Sequence, residues 1–320
     1  MLAICIECSH QRGMGHLFRA MNLIHALEQR GQKYILLVNQ DEKALRILEE
    51  NHITPMVVDL WDTQSDWEGG LIAKYQIRVW LNDRLDTCAE TAKHVKNAGI
   101  LLYTIDDMGE GAAYADGNFA SLIFEHIEDV PGKRVYAGSD YLILNPEIAA
   151  YRRERKEIKN ILVTLGGSDT YGVTLEVISF LKKWQQERAD KKVTILLGPG
   201  AAIREEVENA IKDTDFTLVF GVPSLMAYFA EFDLAITGGG VTPLEAAASG
   251  LPCLIVANEL HEIQIGRHME RIGSAVFAGY YKEMNLERIK EIEDVGAMSR
   301  SGMEQVSLQG AQRICEIIDL

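Results

Sequence analysis

The chain has 320 residues, a length that at about 150 residues per domain predicts two domains or one large one. With 47% hydrophobic and 25% charged residues, the composition is that of globular proteins and excludes wholesale disorder. The formal net charge of −15 argues against nucleic acid or an anionic membrane surface as the partner. Backbone dipoles can still hold a small anionic ligand on such a protein.

The cysteines and apolar runs predict a cytoplasmic protein. The apolar runs are about 4–8 residues long, so no integral membrane segment is expected, and the N-terminus lacks the pattern of a secretory signal. The cysteines are odd in number and scattered, which fits a reducing compartment: Cys5, Cys8, Cys88, Cys253 and Cys315. No second pair completes a zinc site with Cys5-x-x-Cys8, so we expect both of its thiols to be structural.

Apolar runs alternate with helical patterns along the first half of the chain. The predicted strands span 2–8, 34–38, 55–58, 77–81 and 100–105, and the predicted helices span 16–29, 41–51 and 84–98. This alternation predicts a mostly parallel sheet that is covered by helices.

A second α/β series follows a break in this rhythm. Asn145-Pro146 is a turn signal, and a charged stretch without strand character follows it. New strands are predicted at 161–165, 193–197, 216–220, 234–237 and 253–256, and a last helix at about 303–318 has no strand after it. We therefore predict an N-terminal domain over 1–145, a C-terminal domain over 146–302 and a terminal helix over 303–320.

The first strand-to-helix turn carries a candidate base. Ligands of open α/β sheets bind at the carboxyl ends of strands, and Gly13 and Gly15 allow close backbone approach there. A dinucleotide site is disfavoured, because Phe18 stands where the fingerprint needs glycine. His16 opens the helix and can take a proton from water or a hydroxyl, with Arg19 one turn on. The alternative is a capping histidine beside a solvated arginine.

Polar residues also follow two later strands of the first half. Asn82 and Asp83 follow an apolar run, although Asp83 or Asp86 could instead cap the next helix. The pair Asp106-Asp107 could orient a histidine or a sugar hydroxyl, or merely end a strand. No His or carboxylate at ligand spacing supports a metal at that pair.

Three turns of the second half could bind a nucleotide. Gly166-Gly167-Ser168 before a helix is typical of phosphate binding, although it is not a P-loop. The three glycines at 238–240 leave backbone N–H groups for an anion. Glu245 could either bind a ribose diol or complete a capping box with Thr242, and the two roles compete for one carboxylate. The polar loop at 257–264 could contact ligand or be solvated.

These turns together resemble the PseG/SpsG-like family, within the MurG-like branch of the GT-B superfamily. The family contains the UDP-sugar hydrolases of pseudaminic acid biosynthesis and relatives linked to spore-coat polysaccharide. The resembling residues are Gly13-Met14-Gly15-His16-Leu17-Phe18-Arg19, Asn82-Asp83, Asp106-Asp107-Met108-Gly109-Glu110-Gly111, Gly138-Ser139-Asp140-Tyr141, Leu165-Gly166-Gly167-Ser168-Asp169 and Thr237-Gly238-Gly239-Gly240…Glu245…Gly250-Leu251-Pro252.

The resemblance implies a GT-B-like α/β fold, with two Rossmann-like, doubly wound parallel-sheet domains facing a central cleft. It places the nucleotide mostly on the second domain, the glycine turn at 238–240 on the diphosphate and Glu245 on the ribose. His16 would activate water against the anomeric carbon, and the last helix would return to the first domain. The segment 59–76 matches nothing in the family, and the loop at 258–262 matches only loosely.

The leading hypothesis is hydrolysis of a UDP-linked amino or deoxy sugar, releasing UDP and free sugar. The alternatives are a glycosyltransferase on the same scaffold and a non-catalytic nucleotide-sugar binding protein. The catalytic candidates are His16, Asn82 and Asp83. The substrate-binding candidates are Arg12, Gly13, Gly15, Arg19, Asp106, Asp107, Gly166, Gly167, Ser168, Gly238, Gly239, Gly240, Val241, Thr242, Glu245, Asn258, His261 and Gln264. No metal or cofactor is expected, because helix ends can carry the charge of the leaving group, and the expected state is a monomer or weak homodimer.

Overall fold

The computed structural model describes residues 1–8, 14–166, 169, 171–186, 190–198, 201–222 and 224–319. Four candidate residues, Arg12, Gly13, Gly167 and Ser168, lie outside this described part. The described chain divides into two units, one formed by Met1–Leu144 with the residues from Leu308 onward, the other by Asn145–Ser307.

The first unit contains a seven-stranded sheet whose strands are all parallel, in the order β3-β2-β1-β4-β5-β6-β7. Its strands are β1 (Leu2–Ile6), β2 (Tyr34–Val38), β3 (Pro55–Val57), β4 (Val79–Asp83), β5 (Leu101–Ile105), β6 (Gly117–Ala120) and β7 (Val135–Ala137). Its helices are α1 (Gly15–Gln29), α2 (Glu42–Glu50), α3 (Trp67–Tyr75) and α4 (Ala89–Asn97).

Both faces of the first sheet are buried, as the continuous apolar runs predict. Ile4 and Ile6 of β1 join the core beneath α1, whereas Ala3 and Cys5 join a second core on the opposite face. The same alternation holds along β4, where Leu81 lies in the α1 core and Trp80 lies in the other. The alternation decides which polar side chain at the end of β4 can reach α1.

The second unit contains six parallel strands in the order β10-β9-β8-β11-β12-β13. They are β8 (Asn160–Thr164), β9 (Lys192–Leu197), β10 (Thr217–Phe220), β11 (Leu234–Gly238), β12 (Cys253–Ala257) and β13 (Ala275–Tyr280). The helices are α5 (Ile148–Tyr151), α6 (Val173–Gln186), α7 (Arg204–Ile211), α8 (Leu225–Phe229), α9 (Thr242–Ala248), α10 (Ile263–Arg271) and α11 (Val295–Gln305).

The predicted helix at 303–318 is wrong as a single element. The structure has α11, which ends at Gln305, and a separate helix α12 (Gly310–Ile317). α11 belongs to the second unit and α12 to the first, where Ile314 and Cys315 enter the α1 core. The sequence pattern also misses α3, β6, β7 and β13. The two Rossmann-like parallel sheets that were predicted are confirmed.

Each sheet has a point where the strand order reverses, between β1 and β4 in the first and between β8 and β11 in the second. Ligands of doubly wound sheets bind at such switch points. No helix of the described residues has the length and apolar character that a membrane crossing requires. Cys5 and Cys8 are buried free thiols, and burial raises the pKa of each to about 12, in agreement with a structural role.

Candidate functional site

His16 lies at the start of α1, next to the switch point of the first sheet. The helix begins at Gly15, with Met14 as its N-cap, so His16 is in the first turn. Its side chain is 21% exposed, and its Nδ1 lies 2.6 Å from Oδ1 of Asp83. Among the described residues, none hydrogen-bonds to Nε2. That nitrogen is therefore the one available to a substrate.

Asp83 reaches His16 because of the register of the central strands. β1 and β4 are neighbours, and Ile6 is paired with Asp83 at their carboxyl ends. Asp83 follows Val79 and Leu81 on the face that α1 covers, since alternate residues share a face. Its side chain is 2% exposed. The prediction that Asp83 could cap the next helix is wrong, because α4 has Cys88 as its N-cap.

Arg19 binds two aspartates from one turn further along α1. Its Nε donates to Oδ2 of Asp83 at 2.8 Å and its Nη2 donates to Oδ1, so the pairing is bidentate. Nη1 donates to Oδ2 of Asp106 at 2.5 Å. The alternative of a solvated arginine is excluded by these contacts, since the Arg19 side chain is only 10% exposed.

The His16 cluster consists of His16, Arg19, Asp83 and Asp106. Its charges decide which ring nitrogen of His16 carries a proton. Burial by itself raises the pKa of Asp83, but the charge of Arg19 and hydrogen bonds from His16 and Arg19 outweigh it and lower this pKa to about 2. Asp83 is thus a carboxylate at neutral pH and can only accept hydrogen bonds. Nδ1 of His16 therefore carries a proton, and a neutral imidazole has its lone pair on Nε2.

Asp106 is held in a strained backbone conformation that aims it at Arg19. Its φ of +49° lies in the left-handed region, which is unusual for a residue with a side chain. Ser121 Oγ donates to its Oδ2 at 2.9 Å and the backbone N–H of Leu122 donates to its Oδ1 at 2.8 Å. Ser121 and Leu122 were missed by the sequence reasoning, because no motif marks them.

Two candidates of the first unit lie apart from this cluster. Asn82 faces the opposite side of the sheet, where it accepts from Trp80 Nε1 at 2.7 Å and donates to Thr87 Oγ1 at 3.2 Å. Asp107 accepts from Thr87 and, at 2.9 Å, from the N–H of Gly109. Asn82 and Asp107 are fully buried, so their contacts hold the loop between β4 and α4 in place.

The glycine turn of the second unit is partly occupied by a carboxylate from the same unit. Oε2 of Glu262 accepts from the N–H groups of Gly239 at 3.3 Å and of Asn258 at 2.7 Å. A Cβ on Gly239 would lie 2.7 Å from the Glu262 Cβ, so packing alone requires a glycine there. The N–H groups of Gly240 and Val241 have no acceptor within the described chain. These two N–H groups can therefore donate to an anion. Glu262, which accepts from the N–H of Gly239, was missed by the sequence reasoning.

Glu245 does not form the capping box that was one of its two predicted roles. α9 begins at Thr242 with Val241 as its N-cap, and no side chain caps it. Within the described residues, nothing hydrogen-bonds to the Glu245 carboxyl group, and burial raises its pKa to about 7. The capping role is thus excluded, and the role of Glu245 as a ligand acceptor stays a prediction.

The remaining candidates of the second unit surround the carboxyl ends of β8 and β12. Gly166 has φ of +98°, a conformation that favours glycine. Asp169, three residues later, accepts from the N–H groups of Val173 and Thr174 and so caps α6 itself. Asn258 donates to the Leu165 carbonyl at 3.4 Å, and its Oδ1 is buried with no partner among the described residues.

Gln264 is half-buried near the start of α10, and His261 is exposed before it. The substrate-binding roles predicted for these two side chains stay predictions.

Comparison with known proteins supports the resemblance found in the sequence. No protein-family model matches the chain. It is 28% identical over 293 residues to the spore coat polysaccharide biosynthesis protein SpsG of Bacillus subtilis, covering 87% of this chain and 83% of that protein. It is 26% identical over 290 residues to an uncharacterised protein of Methanocaldococcus jannaschii, covering 85% of this chain and 58% of that protein.

Solved structures share the fold at low sequence identity. MurG of Acinetobacter baumannii has a TM-score of 0.74 and 14% identity, with 99% of each chain covered. The UDP-GlcNAc 2-epimerase of Neisseria meningitidis, solved with UDP-GlcNAc bound, has a TM-score of 0.62 and 11% identity, again with 99% of each chain covered. These two likenesses establish the fold and do not by themselves assign an activity.

Proposed function

We propose, from the premise that this chain is an SpsG-like protein with the GT-B fold, that it is an enzyme acting on nucleotide-activated sugars. The reaction we infer is hydrolysis of a UDP-linked amino or deoxy sugar at the anomeric carbon, releasing UDP and free sugar. The observation that carries the proposal is His16 held by Asp83, with Nε2 available to a substrate. The similarity to SpsG supports a role in polysaccharide biosynthesis.

The His16 cluster is suited to general-base catalysis. Water attacks the anomeric carbon, His16 Nε2 takes its proton, and the bond from that carbon to the phosphate oxygen breaks with its electron pair on UDP. Asp83 and Asp106 carry two negative charges and Arg19 carries one positive charge, so the cluster has one excess negative charge. Protonation of His16 cancels that charge, and Asp83 keeps the ring oriented throughout.

The second unit supplies groups for the nucleotide. The N–H groups of Gly240 and Val241, next to the start of α9, can stabilise negative charge on the diphosphate. Glu245 can accept hydrogen bonds from ribose hydroxyls, because no described residue engages it. The choice of UDP is supported by the structural neighbour that was solved with UDP-GlcNAc.

Transfer of the sugar to an acceptor hydroxyl is the second candidate, favoured by apolar side chains near the cluster. Phe18 is 51% exposed in the same turn of α1 as His16. Leu85 and Met108 are also exposed, and the Met108 N–H donates to the Leu85 carbonyl at 3.0 Å. Exposed apolar side chains of this kind could bind an acceptor, and the same base would then take the proton of the acceptor hydroxyl.

Replacement of His16 tests the proposed base. We expect His16→Ala to lower the turnover of a UDP-linked amino sugar by about 10²–10⁴-fold, because the general base is lost. The measurement is UDP release by the purified full chain with no acceptor added. UDP should still raise the melting temperature of the variant, because the proposed nucleotide groups lie on the second unit.

His25→Ala is the matched control, since His25 is an exposed histidine on the same helix, α1. It should leave turnover unchanged. Turnover of His16→Ala at the wild-type rate would refute the assignment of the base. A protein that binds UDP but never releases it from any sugar nucleotide, with or without an acceptor, would be a binding protein instead.

A further inference from the structure

The loop before α3 and the start of that helix form an acidic segment that the proposed reaction does not use. Residues 59–68 contain four acidic side chains and no lysine or arginine: Asp59, Asp62, Asp66 and Glu68. The segment lies in the part of the chain, 59–76, that the family resemblance does not cover. Its local concentration of negative charge favours a cation.

Two of these acids meet a histidine of the neighbouring helix. One oxygen of Asp66, one oxygen of Glu68 and a ring nitrogen of His94 lie within 4.8 Å of one another. His94 Nδ1 is 3.0 Å from Oε2 of Glu68. Bonds to zinc from nitrogen and carboxylate oxygen are about 2.0–2.2 Å long, so the three side chains would draw closer together when one ion binds them all.

The burial of Glu68 is the observation that indicates a bound ligand. Its side chain is fully buried, and its Oε1 has no hydrogen-bond partner among the described residues. The partners of this carboxyl group are His94 and the Thr91 hydroxyl of α4, and neither lies in hydrogen-bond geometry with Oε1. Burying a carboxylate is costly unless its oxygens accept hydrogen bonds or bind a metal. A metal ion bound to Oε1 of Glu68 would remove this cost.

We propose that Asp66, Glu68 and His94 bind one divalent transition-metal ion of the zinc class. One imidazole and two carboxylates are ligands that such ions accept, and water would complete a tetrahedral site. The ion reaches the site from solvent on the side of Asp66, which is exposed. It joins the start of α3 to α4 and so has a structural role, independent of the proposed hydrolysis.

A second group in the same unit provides a matched control. His126, Glu128 and Asp129 also place one ligand atom each within 4.8 Å of the others. All three residues are exposed to solvent. Hydration of these exposed groups already satisfies them, so the loss of His126 should not affect tight binding.

The test is titration of the metal-free full chain with Co²⁺, followed by visible absorption, and competition by Zn²⁺. We expect one ion to bind per chain with the spectrum of a four-coordinate site. Glu68→Gln and His94→Gln should each weaken Zn²⁺ binding by at least about tenfold, whereas His126→Gln should leave it unchanged.

A milder variant keeps the test valid if the buried substitutions impair folding. Asp66 caps α3 by accepting from the Gly69 N–H at 2.9 Å, and asparagine caps as well as aspartate does. Asp66→Asn should therefore fold normally and still lose Zn²⁺ affinity. Failure of the wild-type chain to bind Zn²⁺ or Co²⁺ would overturn the proposal, as would binding that Asp66→Asn and His94→Gln leave intact.

Discussion

His16 and Asp83 are 67 positions apart in the chain, yet their side chains form one hydrogen-bonded pair. Each residue could be selected from the sequence, because each follows a predicted strand. Their pairing could not be predicted, because it depends on the phase of β4. The predicted strand ended at Leu81, so the alternation of faces could not be carried on to the next two residues. Because β4 runs to Asp83, Asp83 lies on the α1 face with Leu81, while Asn82 lies on the other face.

Glu245 provides a pH-dependent test at the residue scale. Because burial raises the pKa of Glu245 to about 7, the group is mostly neutral below that pH and a carboxylate above it. A carboxylate accepts ribose hydroxyl hydrogen bonds more strongly, so the affinity for UDP-GlcNAc should rise between about pH 6 and about pH 8. The measurement is the Kd by titration calorimetry across that range.

The Glu245→Gln variant separates this group from others that titrate. It should bind UDP-GlcNAc more weakly and lose the rise in affinity with pH. The raised pKa also affects the stability of the protein. Burial of the protonated Glu245 stabilises the folded state fully below the unfolded pKa of about 4.3, and this stabilisation is lost as the pH rises through about 7. A pH profile for Glu245→Gln that matches the wild type would refute the role of Glu245.

At the scale of elements, one substitution at the start of α12 tests how this helix packs within the first unit. A Cβ on Gly310 would lie 2.0 Å from the Leu142 carbonyl oxygen, a backbone atom that cannot move away cheaply. We expect Gly310→Ala to destabilise the protein by about 1–3 kcal/mol through overpacking, measured as a lower free energy of unfolding in urea.

Gly70→Ala is the control for that substitution. Gly70 lies within α3, and a Cβ there would meet no atom within 4 Å. Alanine has the higher helix propensity, so this variant should be as stable as the wild type or more stable. If Gly310→Ala were equally stable, the close contact between α12 and Leu142 would be wrong.

Elements with strong apolar periodicity could be predicted, and the others could not. β2 lies where the pattern places it, because Tyr34–Val38 is apolar throughout. β6 contains Gly117 and Asn118, residues that disfavour strands, and only its neighbours in the sheet make it one. α3 begins with two glycines among its first four residues, so its helical pattern is weak.

At the scale of the whole molecule, the charge of −15 requires that anions be bound by local groups. At the carboxyl ends of the first sheet, the charge of Arg19 is already balanced by the two aspartates that bind it, Asp83 and Asp106. The second sheet offers the N–H groups of Gly240 and Val241, while Glu262 already occupies that of Gly239. The glycine pattern predicted an anion site, but it could not show that packing against Glu262 accounts for part of the same pattern.

Hydrolysis at the anomeric carbon is tested most directly by isotope incorporation. The purified full chain is incubated in ¹⁸O-water, without an acceptor, with a panel of UDP-linked 2,4-diamino-type sugars, and the products are followed by ³¹P NMR and mass spectrometry. The account predicts steady release of UDP with ¹⁸O in the free sugar. Label in UDP would place the attack at phosphorus and contradict the account. Absence of release, with UDP still raising the melting temperature, would contradict hydrolysis and favour acceptor-dependent transfer.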